Sequence, residues 1–187
     1  MTNHNTVTQS ATPEMAAQQI QRGDSIWVSG KSAYVKEFIG HLMNRAQELK
    51  GTTIVADSAE ALGSFRSSEH GSYIRVIAGI GSAAEYVINN VDIQDIFYAS
   101  AARTVEIICE EFGINTLVAE LSPPDSLEMC KTSRIGAFIT STISNLPSVT
   151  KKIAIVNYNK ERTPECCSAN KITLQRFNFV CEEPEWL

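Results

Sequence analysis

The chain has 187 residues, of which 43% are hydrophobic and 20% are charged, and its formal net charge is −5. A chain of this length can bury a substantial core, and the acidic balance argues against nucleic acid as a partner, because phosphate binding requires clustered Lys and Arg. No apolar run approaches the roughly 20 residues that span a bilayer, and the N-terminus is polar rather than an apolar signal segment. We therefore expect a soluble cytoplasmic protein with no membrane partner.

The N-terminal eleven residues are rich in Thr, Asn, Gln and Ser. Such a composition has too little apolar surface to order itself, so residues 1–11 predict a disordered tail and residues 12–187 a single domain. Thr12 and Pro13 predict the start of the first helix, because Thr caps free amides and Pro fits the first helical position. Gly23 is expected to end this helix.

Short apolar runs then alternate with amphipathic segments along the chain. Strands are predicted at residues 25–28, 52–56, 73–78, 117–121, 153–157 and 176–181. Helices are predicted at residues 35–49, after residue 82, at 101–112 and at 135–146, whereas residues 91–100 fit either a strand or a loop. Because strands separated by helices imply parallel crossovers, we predict an α/β fold with three layers, α/β/α, and a mostly parallel sheet.

The five cysteines are an odd number without CxxC spacing, which favours reduced thiols over a disulfide framework. The adjacent pair Cys166 and Cys167 is interpreted as incidental rather than redox-active. The three histidines are scattered, and none stands near a cysteine pair, so no metal site is expected.

Two glycine-containing turns bear on nucleotide binding. Residues 79–84, GIGSAA, fit G-x-G-x-x-A between a strand and a helix, the context in which backbone amides bind a pyrophosphate. This motif follows the third strand rather than the first, so a plain tight turn is the competing interpretation. Residues 29–32, SGKS, resemble the end of a phosphate-binding loop, but Ser25 stands where the first glycine should be. A strand-to-helix turn with Ser32 as N-cap explains that segment.

Two buried runs end in polar residues and proline. The strand at residues 117–121 is followed by SPPD, and the strand at residues 153–157 leads to Pro164. Consecutive prolines stop a strand because they fix φ and remove amide donors. If the two strands are neighbours, their ends form a concave site at the carboxyl edge of the sheet. The alternative is that the prolines only terminate strands.

Four segments resemble the N-terminal domain of the acetyl-CoA hydrolase and acetate or 4-hydroxybutyrate CoA-transferase family, a branch of the class I CoA-transferase superfamily. They are TPEMAAQQIQRGDSIWVSG, KEFIGHLMNRAQELKGTTIV, LVAELSPPD and IAIVNYNKERTP, and the resemblance covers residues 12–185. It implies a CoA-transferase-like fold, an acyl-CoA or carboxylic acid as ligand, and coenzyme A as a cosubstrate, with no cofactor bound tightly.

The same resemblance assigns roles to the strand ends. It implies a pocket floor at SPPD, hydrogen bonds to the acyl group or pantetheine from the polar segment after residue 157, and an oxyanion-binding turn after the first strand. The residues are Ser122, Pro123, Pro124 and Asp125 for the floor, Asn157, Asn159 and Thr163 for the hydrogen bonds, and Ser29 and Gly30 for the turn. Glu120 is interpreted as a strand-end hydrogen-bonding group rather than a nucleophile.

Members of this family act through a glutamate of their second domain, which attacks the acyl-CoA carbonyl. No segment of this chain corresponds to that glutamate, so we expect no catalytic residue here. The resemblance implies an α-type subunit, inactive alone, that works with a second CoA-transferase subunit or in a homo-oligomer. A non-catalytic descendant that binds a small acid or a protein, and an unrelated nucleotide-binding domain, are the alternatives.

Overall fold

The computed structural model describes residues 8–57, 59–63, 65, 67–79, 92–94, 101–132, 136–159 and 171–184. Its α-helices are α1 (Pro13–Gln18), α2 (Ala33–Asn44), α3 (Ser67–His70), α4 (Ala101–Glu111) and α5 (Gly136–Asn145). Its strands are β1 (Gln9–Ser10), β2 (Ser25–Ser29), β3 (Thr52–Ala56), β4 (Ile74–Gly79), β5 (Asp92–Gln94), β6 (Thr116–Leu121), β7 (Met129–Lys131), β8 (Lys151–Asn157), β9 (Lys171–Thr173) and β10 (Phe179–Glu183).

Within the described residues, eight strands form one sheet in the order β1-β10-β8-β6-β2-β3-β4-β5. Every pairing in this sheet is parallel. Helices α1 and α2 pack on one face, and α4 and α5 pack on the other. The predicted three-layer α/β arrangement with a mostly parallel sheet is therefore confirmed. No helix in the described part of the chain is long and apolar enough to cross a membrane.

Strand β2 shows how the sequence sets the two layers. Ile26 and Val28 belong to the core under α1 and α2, whereas Trp27 belongs to the core under α4 and α5. Successive side chains of a strand point to opposite faces, so a strand that is covered on both sides needs apolar residues at nearly every position. All three residues are fully buried.

The N-terminal segment differs from its prediction. Residues 9 and 10, expected in a disordered tail, form β1 beside β10, and residues 1–7 lie outside the described part. The Gln9 amide donates to the Asn178 carbonyl at 2.9 Å, and the Ala11 amide donates to the Val180 carbonyl at 2.9 Å. The N–H and C=O groups at a sheet edge can hydrogen-bond to a polar segment and order it, even though the segment has little apolar surface. Composition alone does not reveal such pairing.

Other parts of the chain also differ from the prediction. The first helix ends at Gln18 rather than at Gly23, and the last strand is Phe179–Glu183 rather than residues 176–181. The helix predicted to reach residue 49 ends at Asn44, although Ala46 and Leu49 stay buried. The antiparallel pair of β7 and β9 was not predicted, because each strand has only three residues and pairs across a long stretch of chain.

At the amino edge of the sheet, Asp24 connects three separate segments. Its carboxylate accepts from the Gln21 amide at 2.8 Å, from Nδ2 of Asn115 at 3.1 Å, and from Nζ of Lys151 at 2.6 Å. Asn115 in turn accepts the Ser25 amide through Oδ1 at 3.3 Å. The starts of β2, β6 and β8 are thereby fixed to one another.

We predict that Asp24→Ala lowers the free energy of unfolding by about 2–4 kcal/mol, because it removes hydrogen bonds to a charged group and leaves their donors without an acceptor. Asp24→Asn keeps a neutral acceptor and should lose less. The measurement is urea unfolding followed by circular dichroism. Glu48→Ala, which removes an exposed ion pair with Arg45, is the control and should change stability by less than about 0.5 kcal/mol. An equal loss in Asp24→Ala and the control would contradict this role of Asp24.

Candidate functional site

The two strand ends predicted to form a site are neighbours. β6 and β8 pair directly, with Leu121 opposite Val156 in register. Strand β2 pairs with the other side of β6, with Ser29 opposite Ala119. The segments that follow these three strands therefore meet at the carboxyl edge of the sheet, where α/β proteins bind ligands.

Residues 29–34, which run from the last residue of β2 into the first turn of α2, are called the β2–α2 turn. Its amides bind a carboxylate of the chain itself. The Lys31 and Ser32 amides donate to Oε2 of Glu120 at 2.7 Å and 2.9 Å. Nδ2 of Asn157 donates to Oε1 of the same carboxylate at 3.3 Å, and Glu120 is only 7% exposed. Glu120 is therefore a strand-end hydrogen-bonding group, as the sequence predicts.

Two further carboxylates contact the same turn. Asp57, directly after β3, accepts from the Ser29 hydroxyl at 2.6 Å and from the Gly30 amide at 3.2 Å. Glu183, at the end of β10, accepts from the Tyr34 amide at 3.4 Å. Neither residue is predicted from the sequence. The feature that could have identified them is a carboxylate at the end of a buried apolar strand. The Ser29 hydroxyl and the Gly30 amide, predicted to bind an acyl oxyanion, both donate to Asp57 in this structure.

The local structure requires glycine at position 30. Its φ of +114° lies in the region that side chains rarely adopt. A Cβ at this position would also overlap the Cβ of Glu120 and lie 2.5 Å from its Oε2. The close approach of Glu120 is sufficient to require glycine here, without a ligand.

The polar groups of Ser122 form hydrogen bonds within the SPPD loop and to β7. It is 2% exposed, and its amide donates to the Lys131 carbonyl at 2.7 Å. Its hydroxyl donates to the Pro123 carbonyl at 3.1 Å and accepts from the Lys131 amide at 2.9 Å. Pro123 and Pro124 are half-buried. The serine therefore holds β7 against the end of β6.

Asp125 closes the same loop. Its Oδ1 accepts from the Leu127 amide at 2.9 Å and from the Met129 amide at 3.0 Å, and its Oδ2 lies 3.4 Å from Nζ of Lys171 on β9. The hydrogen bonds from Met129 and Leu127, helped by Lys171, hold the pKa of Asp125 below its usual value. The ionised carboxylate thus stabilises the loop and its link to β9.

Asn157 joins the site to the C-terminal segment. Its Oδ1 accepts from the Asn159 amide at 2.8 Å, while Nδ2 of Asn159 donates to the Pro184 carbonyl at 2.9 Å. The structure therefore brings Asn157, Glu120 and the β2–α2 turn together. Thr163, the third residue predicted in this segment, lies outside the described residues.

The thiols of Cys109, Cys130 and Cys181 are free and buried. Burial raises the pKa of each to about 12, so all three are protonated at neutral pH and are poor nucleophiles. Cys166 and Cys167 lie outside the described part, as do residues 80–84 of the glycine motif. A search of the described residues finds no group of His, Cys, Asp and Glu that could hold a metal ion.

A shallow pocket of about 330 Å³ lies away from this edge, where α2 ends and β4 begins. Charged and polar side chains dominate its lining, and Arg45 there already donates to Glu48 and to the Ala17 carbonyl. The lining residues are Met43, Asn44, Arg45, Ala46, Gln47, Glu48, Glu69, His70 and Tyr73. This pocket shares no residue with the predicted site.

Solved structures share the fold. RipA from Yersinia pestis aligns with a TM-score of 0.73 and 19% identity, over 94% of this chain and 42% of the RipA chain. The 4-hydroxybutyrate CoA-transferase from Porphyromonas gingivalis aligns with a TM-score of 0.58 and 14% identity, over 95% of this chain and 40% of its own. A single-residue variant of the decarboxylase AibA/AibB aligns with a TM-score of 0.56 and 9% identity, over 96% of this chain and 84% of its own.

No family model matches the sequence, and the search of curated proteins found no match either. The chain spans about two fifths of the length of RipA and of the 4-hydroxybutyrate CoA-transferase. These identities establish the fold and not the family. The chain has a CoA-transferase-like α/β fold.

We predict that Asp125→Asn destabilises the protein at neutral pH and that this difference shrinks in acid. The pKa of Asp125 is lowered on folding, so its ionised form stabilises the native state above the usual value of 3.8, and this stabilisation is lost as the pH falls through the folded-state pKa. Urea unfolding of both proteins at pH 6 and at pH 3 measures the difference. A difference that is the same at both pH values would contradict the ionised role of Asp125.

Proposed function

We propose that this chain is one half of a CoA-transferase-like enzyme, an α-type subunit that contributes the acyl side of an acyl-CoA site. The observation that supports this proposal most is the extent of the structural match. The fold is part of a longer chain in RipA and in the 4-hydroxybutyrate CoA-transferase, whereas it makes up most of the chain in the decarboxylase AibA/AibB. A chain of this fold therefore need not carry the remaining half of such an enzyme.

In this proposal the nucleophile belongs to a second chain. Its glutamate carboxylate attacks the acyl-CoA carbonyl, the thioester C–S bond breaks, and coenzyme A leaves as the thiolate while a mixed anhydride forms on the glutamate. The thiolate then attacks the glutamyl carbonyl, which releases the acyl group as a carboxylate and leaves coenzyme A as a glutamyl thioester. The present chain supplies a wall at the carboxyl edge, where Asn157 and Asn159 offer hydrogen bonds to the acyl group or pantetheine and Pro123 and Pro124 form an apolar floor. Thr163, which lies outside the described residues, is proposed for the same role as the two asparagines. The buried free thiols fit a reducing compartment such as the cytoplasm.

The internal hydrogen bonds of the edge favour a second candidate. Polar groups of the predicted site residues already have partners within the chain. These residues are Ser29, Gly30, Ser122, Asp125, Asn157 and Asn159. A descendant of the fold that binds a small acid or a protein without catalysing a reaction could keep these bonds permanently. A nucleotide-binding function of residues 79–84 is the third candidate, and it rests on the sequence motif alone.

We predict that coenzyme A and acetyl-CoA raise the melting temperature of the isolated chain by about 3–6 °C at saturating concentration, because a ligand that binds only the native state stabilises it. NAD and ATP should have no such effect. A thermal-shift measurement with the four ligands separates the candidates. Stabilisation by NAD or ATP alone would favour the nucleotide-binding alternative, and no response to either coenzyme A compound would contradict the proposal.

Two asparagine variants sharpen this test. Asn157→Ala should weaken coenzyme A binding roughly tenfold through the loss of one hydrogen bond. Asn145→Ala, near the opposite edge, is the control and should bind as the wild type does. Unfolding of Asn157→Ala would make this residue structural instead. Release of free coenzyme A from acetyl-CoA by the isolated chain would contradict the assignment of the nucleophile to a partner.

A further inference from the structure

The start of α2 is the kind of place at which α/β proteins bind anions. Backbone N–H groups converge there, and the helix dipole favours negative charge. In this chain the amides of Lys31 and Ser32 bind the Glu120 carboxylate at 2.7 Å and 2.9 Å. The Gly30 and Tyr34 amides donate to Asp57 and Glu183, and the Val35 amide donates to the Ser32 hydroxyl.

We infer that Glu120 closes the Lys31 and Ser32 amides of the β2–α2 turn to ligands, as an anion supplied by the chain itself. The Lys31 and Ser32 amides are not available to an acyl oxyanion. Any acyl transfer at this edge must take its oxyanion-stabilising donors from groups other than these two amides. This inference rests on the geometry of the chain and holds whether or not the chain is a transferase half.

Three features make the contact hard to displace. Both bonds are short and charge-assisted, which makes them stronger than neutral hydrogen bonds. The carboxylate is 7% exposed, so a ligand that took its amides would leave a buried charge with fewer partners. Asn157 holds the second oxygen at 3.3 Å. The φ of Gly30 and its missing Cβ let the turn approach Glu120 this closely.

The test is chemical rescue by formate, the smallest carboxylate. Glu120→Ala removes the carboxylate and leaves a space beside the Lys31 and Ser32 amides, which lose their acceptor. Its melting temperature should fall by roughly 5–15 °C. Sodium formate should then raise it in a saturable manner, by about 2–5 °C more than sodium chloride at the same ionic strength. The wild type should show no such difference between the two salts, because its turn is occupied.

The control is Glu182→Ala, which removes an exposed carboxylate from the same edge. This carboxylate accepts a weak hydrogen bond from the Tyr158 hydroxyl, at 3.2 Å. The control variant should respond to the salts as the wild type does. If Glu120→Ala fails to fold, Glu120→Gln fills the same space with a weaker acceptor, and its melting temperature should lie below that of the wild type. The inference is overturned if wild type and Glu120→Ala gain equally from formate, or if neither Glu120 variant is less stable than the wild type. Because no acyl-CoA is present, these outcomes are independent of the proposed function.

Discussion

The carboxyl edge of the sheet depends on the bond between Glu120 and the amides of Lys31 and Ser32. This contact fixes the end of β6 to the start of α2. The end of β8 is joined to it as well, because Asn157 donates to the second oxygen of Glu120. A buried carboxylate is tolerated only where hydrogen bonds replace its hydration. The position of Gly30 follows from the same contact, since no side chain fits between the turn and Glu120.

This constraint changes the meaning of the predicted site. A sheet edge that ends in proline, asparagine and a glycine turn suggests an open cleft, but most of its polar groups in the described residues have partners within the chain. Asp57, Glu120 and Glu183 bind the β2–α2 turn, and Ser122 and Asp125 hold the β7 segment. The edge is therefore a wall whose polar groups are largely paired within the chain, which suits a chain proposed to complete its site with a partner.

The sequence predicts local features well and distant contacts poorly. The apolar run at residues 117–121 predicts a buried strand because burial on both faces requires apolar residues at nearly every position, and β6 is buried throughout. Helix α1 starts where Thr12 and Pro13 place it. By contrast, Lys31 and Glu120 are 89 residues apart, and no local pattern connects them. β1 and β7 are too short to produce a periodic signal, so only their partners in the fold define them.

Amide hydrogen exchange of Lys31 and Ser32, measured by NMR, tests the occupied turn most directly. The account predicts slow exchange at both amides in the wild type and exchange at least about tenfold faster in Glu120→Ala, because each amide loses a charge-assisted bond. The amide of Phe38, inside α2, should stay far better protected than these two amides in Glu120→Ala, which excludes general unfolding as the cause of their exchange. Fast exchange at Lys31 and Ser32 in the wild type, or equal rates in the two proteins, would contradict the account.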